Sequence, residues 1–180
     1  MDLFKKQESL KPYFATAYAC AVFDKVAKAG FGIGAAGGQG VVYKLSEGNE
    51  YKVGESSMIQ ISFGFQFGGQ VYSEIIFFET EKDFKNFTQE NFEFSADANV
   101  VALSASASAK ASTLGNQSFQ AGTAPEKIDI TTGSHPYTKG MAVFTIALGG
   151  LMYQATISGQ KFTYKALDTN VATSFEPVQK

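Results

Sequence analysis

Ile59-Gln60-Ile61-Ser62-Phe63-Gly64-Phe65-Gln66-Phe67-Gly68 sets a large apolar side chain at every odd position from 59 to 67. Gln, Ser and Gly fill the even positions. A period of two puts alternate residues on opposite faces of a β-strand, whereas a helix would repeat every 3.6 residues. The run therefore reads as a strand and makes the chain β-rich. Gly68-Gly69 after it reads as a turn. Residues 71–78 read as a second long strand, nearly apolar on both faces at its end, as in a strand covered on both sides.

The same reading extends in both directions. Upstream, Phe31, Ile33 and Ala35 alternate with Gly32, Gly34 and Ala36. Gly37-Gly38 gives a tight-turn signal, Val41-Val42-Tyr43-Lys44 a returning strand, and Glu47-Gly48-Asn49 the next turn. Downstream, Thr80 is the expected N-cap of a helix with Glu81 and Asp83 in its first turn. Phe84 and Phe87 form the buried stripe of that helix, which is expected to end near Asn91. Phe92, Phe94, Ala96, Ala98, Val100 and Ala102 alternate in phase. The phase shifts at Leu103-Ser104, and Ala105, Ala107, Ala109 and Ala111 continue it, which suggests a bulge or a bend. Residues 124–136 read as a polar loop. Closing strands follow at 141–148, 151–157 and 161–164, joined at Gly149-Gly150 and Ser158-Gly159-Gln160.

The start of the chain differs. Leu3, Phe4, Gln7 and Leu10 have helical spacing, and Pro12 limits that helix to about two turns because proline breaks the hydrogen-bond ladder. Residues 15–28 are ambiguous. Their alanines favour helix, while Ala19, Ala21 and Phe23 alternate as a strand would, with 24–30 as a helical turn closed by glycine. Taken together, the expected class is α+β: mostly antiparallel β, a barrel- or sandwich-like sheet, with one internal helix and a short N-terminal helix. The expected divisions are an N-terminal helical arm over 1–16, a β-rich domain over 17–166 and a C-terminal tail over 167–180.

Composition narrows the function. A chain of 180 residues buries roughly 70% of its unfolded surface, so it needs no disulfide or metal to hold a core. All 15 basic residues are lysine, against 17 acids. Without Arg to fork onto guanine or phosphate, and with a net charge of −2, the chain does not suit sequence-specific nucleic-acid recognition. One cysteine, Cys20, excludes an intrachain disulfide and a thiolate zinc cage. One histidine, His135, leaves little for a His-based metal site or a Ser–His relay. No run of about 18 apolar residues is present to form a membrane-crossing helix. Met1-Asp2-Leu3-Phe4-Lys5-Lys6 has no apolar h-region behind it, so a signal peptide is not expected here, although a leader already removed would leave the same pattern. The charge is uneven: residues 2–28 carry Lys5, Lys6, Lys11, Lys25 and Lys28 against Asp2, Glu8 and Asp24.

Several motifs have two readings. Gly32-Ile33-Gly34-Ala35-Ala36-Gly37 matches G-x-G-x-x-G, but a dinucleotide site needs a helix after the loop, and here a Val-Val-Tyr strand follows. A glycine-rich hairpin is the preferred reading. Glu79, Glu81 and Asp83, with Glu90 and Glu93 nearby, resemble paired carboxylates, yet a helix start explains them without catalysis. His135 reads as a loop histidine and Cys20 as a buried, inert thiol. Asn86-Phe87-Thr88 and Asn116-Gln117-Ser118 match the glycosylation sequon, a triplet frequent by chance. Lysines beside Leu3, Phe4, Tyr13 and Phe14 suit an anionic lipid surface; the alternative is a solvated helix packed on the sheet.

The order of short motifs carries a resemblance. Ala21-Val22-Phe23, Val26-x-Lys28-Ala29-Gly30-Phe31, Gly34 and Gly37-Gly38-x-Gly40-Val41-Val42 come first. Ser62-x-Gly64-Phe65-Gln66-x-Gly68-Gly69-Gln70, Phe84-x-x-Phe87 and Phe94-x-Ala96-Asp97-Ala98 follow. Tyr137-x-Lys139-Gly140-Met141, with Thr138 as the variable position, Gly149-Gly150-Leu151 and Ile157-Ser158-Gly159-Gln160-Lys161-Phe162 close the series. This order resembles the SYLF (YSC84-type) lipid-binding domain family over about residues 17–166. Asp24 stands where that family usually has proline, and Ser95 replaces a common glycine.

The resemblance implies a non-enzymatic module with no cofactor and no metal, whose partner is an anionic lipid or membrane surface, with a protein partner as the further option. It implies a bacterial periplasm or cell envelope if a leader has been removed, and otherwise a cytoplasmic peripheral protein. Carried onto this chain, the family's lipid contact corresponds to Leu3, Phe4, Lys5, Lys6, Lys11, Lys25 and Lys28. Two other functions are considered, an apolar-ligand carrier and a protein-interaction scaffold of the envelope.

Overall fold

The alternating run lies in the middle of one uninterrupted 30-residue strand, β2 (Asn49–Phe78), in the computed structural model. The structure describes residues 1–89, 92–95, 100–103 and 137–167. The alternations at Ala96–Ala98 and 105–111, the loop at 124–136, His135, Glu90, the Asn116 sequon and the tail beyond 167 lie outside the described residues.

The paired glycines do not end the strands. β1 (Ala19–Ser46) runs through Gly37-Gly38, β2 runs through Gly68-Gly69, and the three closing segments are a single strand, β5 (Met141–Ala166). Residues 24–30 are strand as well, with a register shift between Phe23 and Val26 in place of the expected helical turn. β1 and β2 pair antiparallel from Ala19↔Phe78 to Ser46↔Asn49. The hairpin closes on Glu47 (φ 52°) and Gly48 (φ 77°), the two left-handed residues that match the twist of adjoining strands. β5 pairs antiparallel with the other edge of β2. β3 (Phe92–Ser95) adds antiparallel to one end of β5, and β4 (Val100–Leu103) adds parallel to the other. The resulting five-stranded sheet has the order β1-β2-β5-β3, with β4 also on β5.

Strands this long must bend to bury a face. The line of bending crosses Gly32, where β1 has a register shift, and Gly68, both in the left-handed region. The sheet folds over on itself, and glycines let the two halves meet. A Cβ on Gly40 would lie 2.6 Å from the Phe23 ring, and one on Gly38 would lie 2.8 Å from the Lys25 carbonyl oxygen. The Gly-x-Gly-x-x-Gly run is thus part of a strand, with no helix after it.

Two apolar clusters result. The inner one lies between the folded halves and holds Phe23, Val26, Tyr72, Ile76, Phe78 and Val143 from one half, and Ala36, Val42, Met58 and Phe162 from the other. α3 (Glu81–Phe87) adds Phe87, whose ring lies 4.7 Å from Phe78 and 5.5 Å from Phe162. The outer cluster covers the back of the first half: Cys20, Val22, Ile75, Phe77, Phe144 and Ile146 pack beneath the N-terminal arm.

The arm is two short helices, α1 (Asp2–Lys5) and α2 (Lys11–Thr16), separated by a 3-10 turn over Glu8–Leu10. Pro12 stands in the first turn of α2, where its missing N–H has no carbonyl to meet, so it starts a helix here instead of ending one. The helix after β2 starts as its residues require. Thr80 Oγ1 accepts from the Asp83 N–H at 3.3 Å, and the Asp83 carboxylate accepts from the Thr80 N–H at 3.2 Å. The helix stops at Phe87, one turn before Asn91. Thr80→Ala removes half of this reciprocal cap and is expected to cost about 1 kcal/mol, read as a melting temperature lower by roughly 2–4 °C.

Candidate functional site

Three regions hold unusual chemistry, beginning with the arm. Phe4, Leu10 and Tyr13 are buried in the outer cluster, with the Tyr13 ring 5.0 Å from Phe144 and 5.4 Å from Phe77. The spacing of Phe4, Gln7 and Leu10 does mark the arm's buried side, and Leu3 remains partly exposed. Lys6 and Lys25 are exposed. Lys5 pairs with Glu50 at 2.6 Å, tying the arm to the start of β2. Lys11 pairs with Glu8 at 2.7 Å, with both side chains well exposed. Lys28 is apart from the others. It is 7% exposed on the inner face of β1, and burial lowers the pKa of its amine. Of the lysines expected to meet lipid, Lys5, Lys6, Lys11 and Lys25 are at the surface and Lys28 is not.

A polar cluster lies inside the fold-over. Glu74 is 1% exposed. Its Oε2 accepts from Gln160 Nε2 at 3.2 Å, and the same amide donates to Gln60 Oε1 at 3.2 Å. The Tyr72 hydroxyl donates to Gln60 Oε1 at 3.4 Å. Glu74 Oε1 and Gln160 Oε1 are buried with no hydrogen-bond partner. Burial pushes the Glu74 carboxyl up to about 7, and the Gln160 hydrogen bond offsets only part of that shift. No lysine forms an ion pair with Glu74 among the described residues.

The third region is the outer side of the bend. Phe31, Ile33, Ile59, Ile61, Phe63 and Phe67 are each at least half exposed, Phe31 by 82%. Cross-strand partners share a face, so Ile33↔Phe63 and Phe31↔Phe67 join two strands into one surface. The Phe31 and Phe67 rings meet edge to face at 6.0 Å. The strand quoted at the outset therefore sits with Gln60 and Ser62 buried and Ile59, Ile61 and Phe63 in solvent. Sequence reading found the two faces, but the residues offered as lipid contacts did not include this one. The strict alternation of large apolar side chains was the available signal.

The remaining motifs have structural roles. Asp83 caps α3, Glu81 pairs with Lys85 at 2.8 Å, and Glu93 pairs with Lys161 at 3.5 Å. Burial of Cys20 raises its thiol pKa, which keeps it protonated. No three His, Cys, Asp or Glu side chains converge on a metal-sized site among the described residues. No described helix is long and apolar enough to cross a membrane.

The family model Ysc84, described as "Las17-binding protein actin regulator", matches residues 59–167. The chain belongs to the Ysc84 (SYLF) family. The Ysc84 match begins inside β2 at Ile59 and takes in the β2 side of the outer face of the bend, Glu74 and all of β5; the arm and β1, with Phe31 and Ile33, lie before it. The chain is 28% identical over 160 residues to "Beta cell expansion factor A" of Aeromonas veronii. The aligned part is 89% of this chain and 51% of that protein, so the chain spans about half the length of this relative. No solved structure matches it.

Proposed function

We propose that this Ysc84-family chain is a non-enzymatic, membrane-associated binding protein that meets acidic lipid headgroups through its N-terminal lysines. The observation that supports this is the exposure of Lys6 and Lys11, with Lys5 and Leu3 beside them, on an arm anchored by Phe4, Leu10 and Tyr13, together with that of Lys25 on β1. Anchoring leaves the charges at the surface while the apolar side is already satisfied. Each lysine near an anionic surface contributes about 1 kcal/mol. The solvent-exposed Lys11–Glu8 pair is worth less than about 1 kcal/mol, so a headgroup phosphate can replace the carboxylate. Lysine acts as a point charge, so the contact is loose and salt-sensitive.

Co-sedimentation with phosphatidylcholine vesicles, with and without phosphatidylglycerol, at low and high salt tests the reading. Binding is expected only with the anionic lipid and is expected to weaken as salt rises. The triple change Lys5→Glu, Lys6→Glu and Lys11→Glu should weaken it at least tenfold. Equal binding to neutral vesicles, or an unaffected triple variant, contradicts the headgroup role.

The description of the matched family favours a second reading, a module that binds a protein partner. Pull-down from a membrane extract by the wild-type chain, repeated after the extract is stripped of lipid, separates the two. A carrier of apolar ligands is less favoured, because Phe23, Phe78, Phe87 and Phe162 fill the space between the folded halves.

A further inference from the structure

We infer that the outer side of the sheet's bend, centred on Phe31, Ile33, Ile61 and Phe63, is the surface that enters a lipid bilayer, its side chains seated among the acyl chains below the headgroups. This inference rests on the lipid-binding reading above and adds a second, apolar contact that the arm cannot supply. Phe4, Leu10 and Tyr13 are consumed in packing, so the arm brings charge but little greasy surface.

Three observations select this face and this occupant. First, side chains this apolar and this exposed on neighbouring strands form a contiguous patch of the kind that marks a contact surface. Second, the strands that cross the bend carry no Asp, Glu, Lys or His over residues 29–43, 56–73 and 141–160. The first charge met on the outer face beyond Ile59 is its cross-strand partner Lys161, paired with Glu93. A lysine at the margin of an uncharged band belongs at headgroup level. Third, the patch is the convex side of a fold-over. A rigid partner meets such a ridge along a narrow strip, whereas a stable complex buries roughly 800 Å² per partner. Lipid chains conform to a convex wedge without that restriction. Backbone chemistry agrees in part: β2 pairs with β5 throughout this region and with β1 on either side of the register shift at Gly32, and paired backbone groups enter hydrocarbon at lower cost than unpaired ones.

The chain has no tryptophan, so a single Trp reports its own surroundings. Phe63→Trp on the bend and Leu3→Trp on the arm would each be mixed with phosphatidylcholine–phosphatidylglycerol vesicles, with or without brominated acyl chains. The Phe63→Trp emission is expected to shift to the blue and to be quenched several-fold more by the bromines than Leu3→Trp. The double change Ile61→Asp and Phe67→Asp, at exposed positions, is expected to keep the melting temperature and weaken vesicle binding at least tenfold. If the chain co-sediments while Phe63→Trp stays open to iodide and untouched by bromine, the bend is not the inserting surface, although lipid binding stands. A blue shift that grows with protein concentration in the absence of vesicles assigns the face to a second copy and overturns the proposal. Failure of the wild-type chain to co-sediment with any vesicle overturns this inference together with the reading it rests on.

Discussion

Glu74→Gln is expected to raise the melting temperature at pH 8 by roughly 10 °C and to leave it nearly unchanged at pH 4.5. The carboxyl is held in the inner layer with one oxygen hydrogen-bonded to Gln160 and the other unpartnered, and no cation compensates it among the described residues. Its neighbours there are Gln60 and Tyr72 on β2, Gln160 on β5 and Phe23 on β1, none of them charged at neutral pH. Its pKa rises from 4.5 to about 7 on folding. Between those values the folded protein keeps a proton that the unfolded chain has released. Stability therefore falls as pH rises through this window and levels off above it. A shift of this size corresponds to about 3 kcal/mol once both states are ionised, and each kcal/mol moves the melting temperature of a chain this long by about 2–4 °C. The amide of the variant is neutral at every pH and supplies a donor beside the unpartnered Gln160 oxygen. Melting curves of both proteins from pH 4.5 to 8 give the comparison. Parallel curves would show that the carboxyl ionises alike in the folded and unfolded states, and so that burial does not raise its pKa.

Gly40→Val is expected to destabilise the protein by about 3 kcal/mol, the upper part of the usual range for overpacking a core. In a plain strand this change would favour folding by up to about 1 kcal/mol, because valine has less freedom to lose and suits the pleat. Here a Cβ would lie 2.6 Å from Phe23 Cδ1 and 2.8 Å from the Val22 carbonyl oxygen. A ring can turn away, but a strand backbone cannot move without separating the two halves of the sheet. Phe23→Leu added to Gly40→Val should recover part of the loss and leave the part due to the carbonyl. Denaturant unfolding of the four proteins of this cycle measures the coupling. Gly37→Ala is the control: its Cβ would meet only the Met58 carbonyl oxygen at 3.5 Å, an ordinary contact.

These two positions show how far the sequence could be read. The β-rich class, the helix capped at Thr80 and the hairpin at Glu47-Gly48 all follow from local chemistry, and the structure has them. Strand lengths did not follow. Gly37-Gly38, Gly68-Gly69 and Gly149-Gly150 carry turn chemistry, and strands average only about five or six residues, so each pair looked like an end. In the structure each pair sits inside a continuous strand. Gly38 and Gly40 are small because another half-sheet lies against them, a contact between residues of one strand that no local window contains. Pro12 shows the same limit. Its stop signal and its start signal are the same missing N–H, and position within the helix decides which applies.

The candidate site divides in the same way. Alternation over residues 59–68 determined by itself that Ile59, Ile61 and Phe63 share one face and Gln60 and Ser62 the other, because a strand has no other way to present them. It could not determine which face is inside. Apolar surface ordinarily turns to the core, but here the fold-over encloses Gln60, Ser62 and Glu74 and leaves the isoleucines and phenylalanines outside. That outcome depends on which way the whole sheet bends, a choice made by the packing of Phe23, Phe78, Phe87 and Phe162 between its halves and by the glycines that let those halves meet.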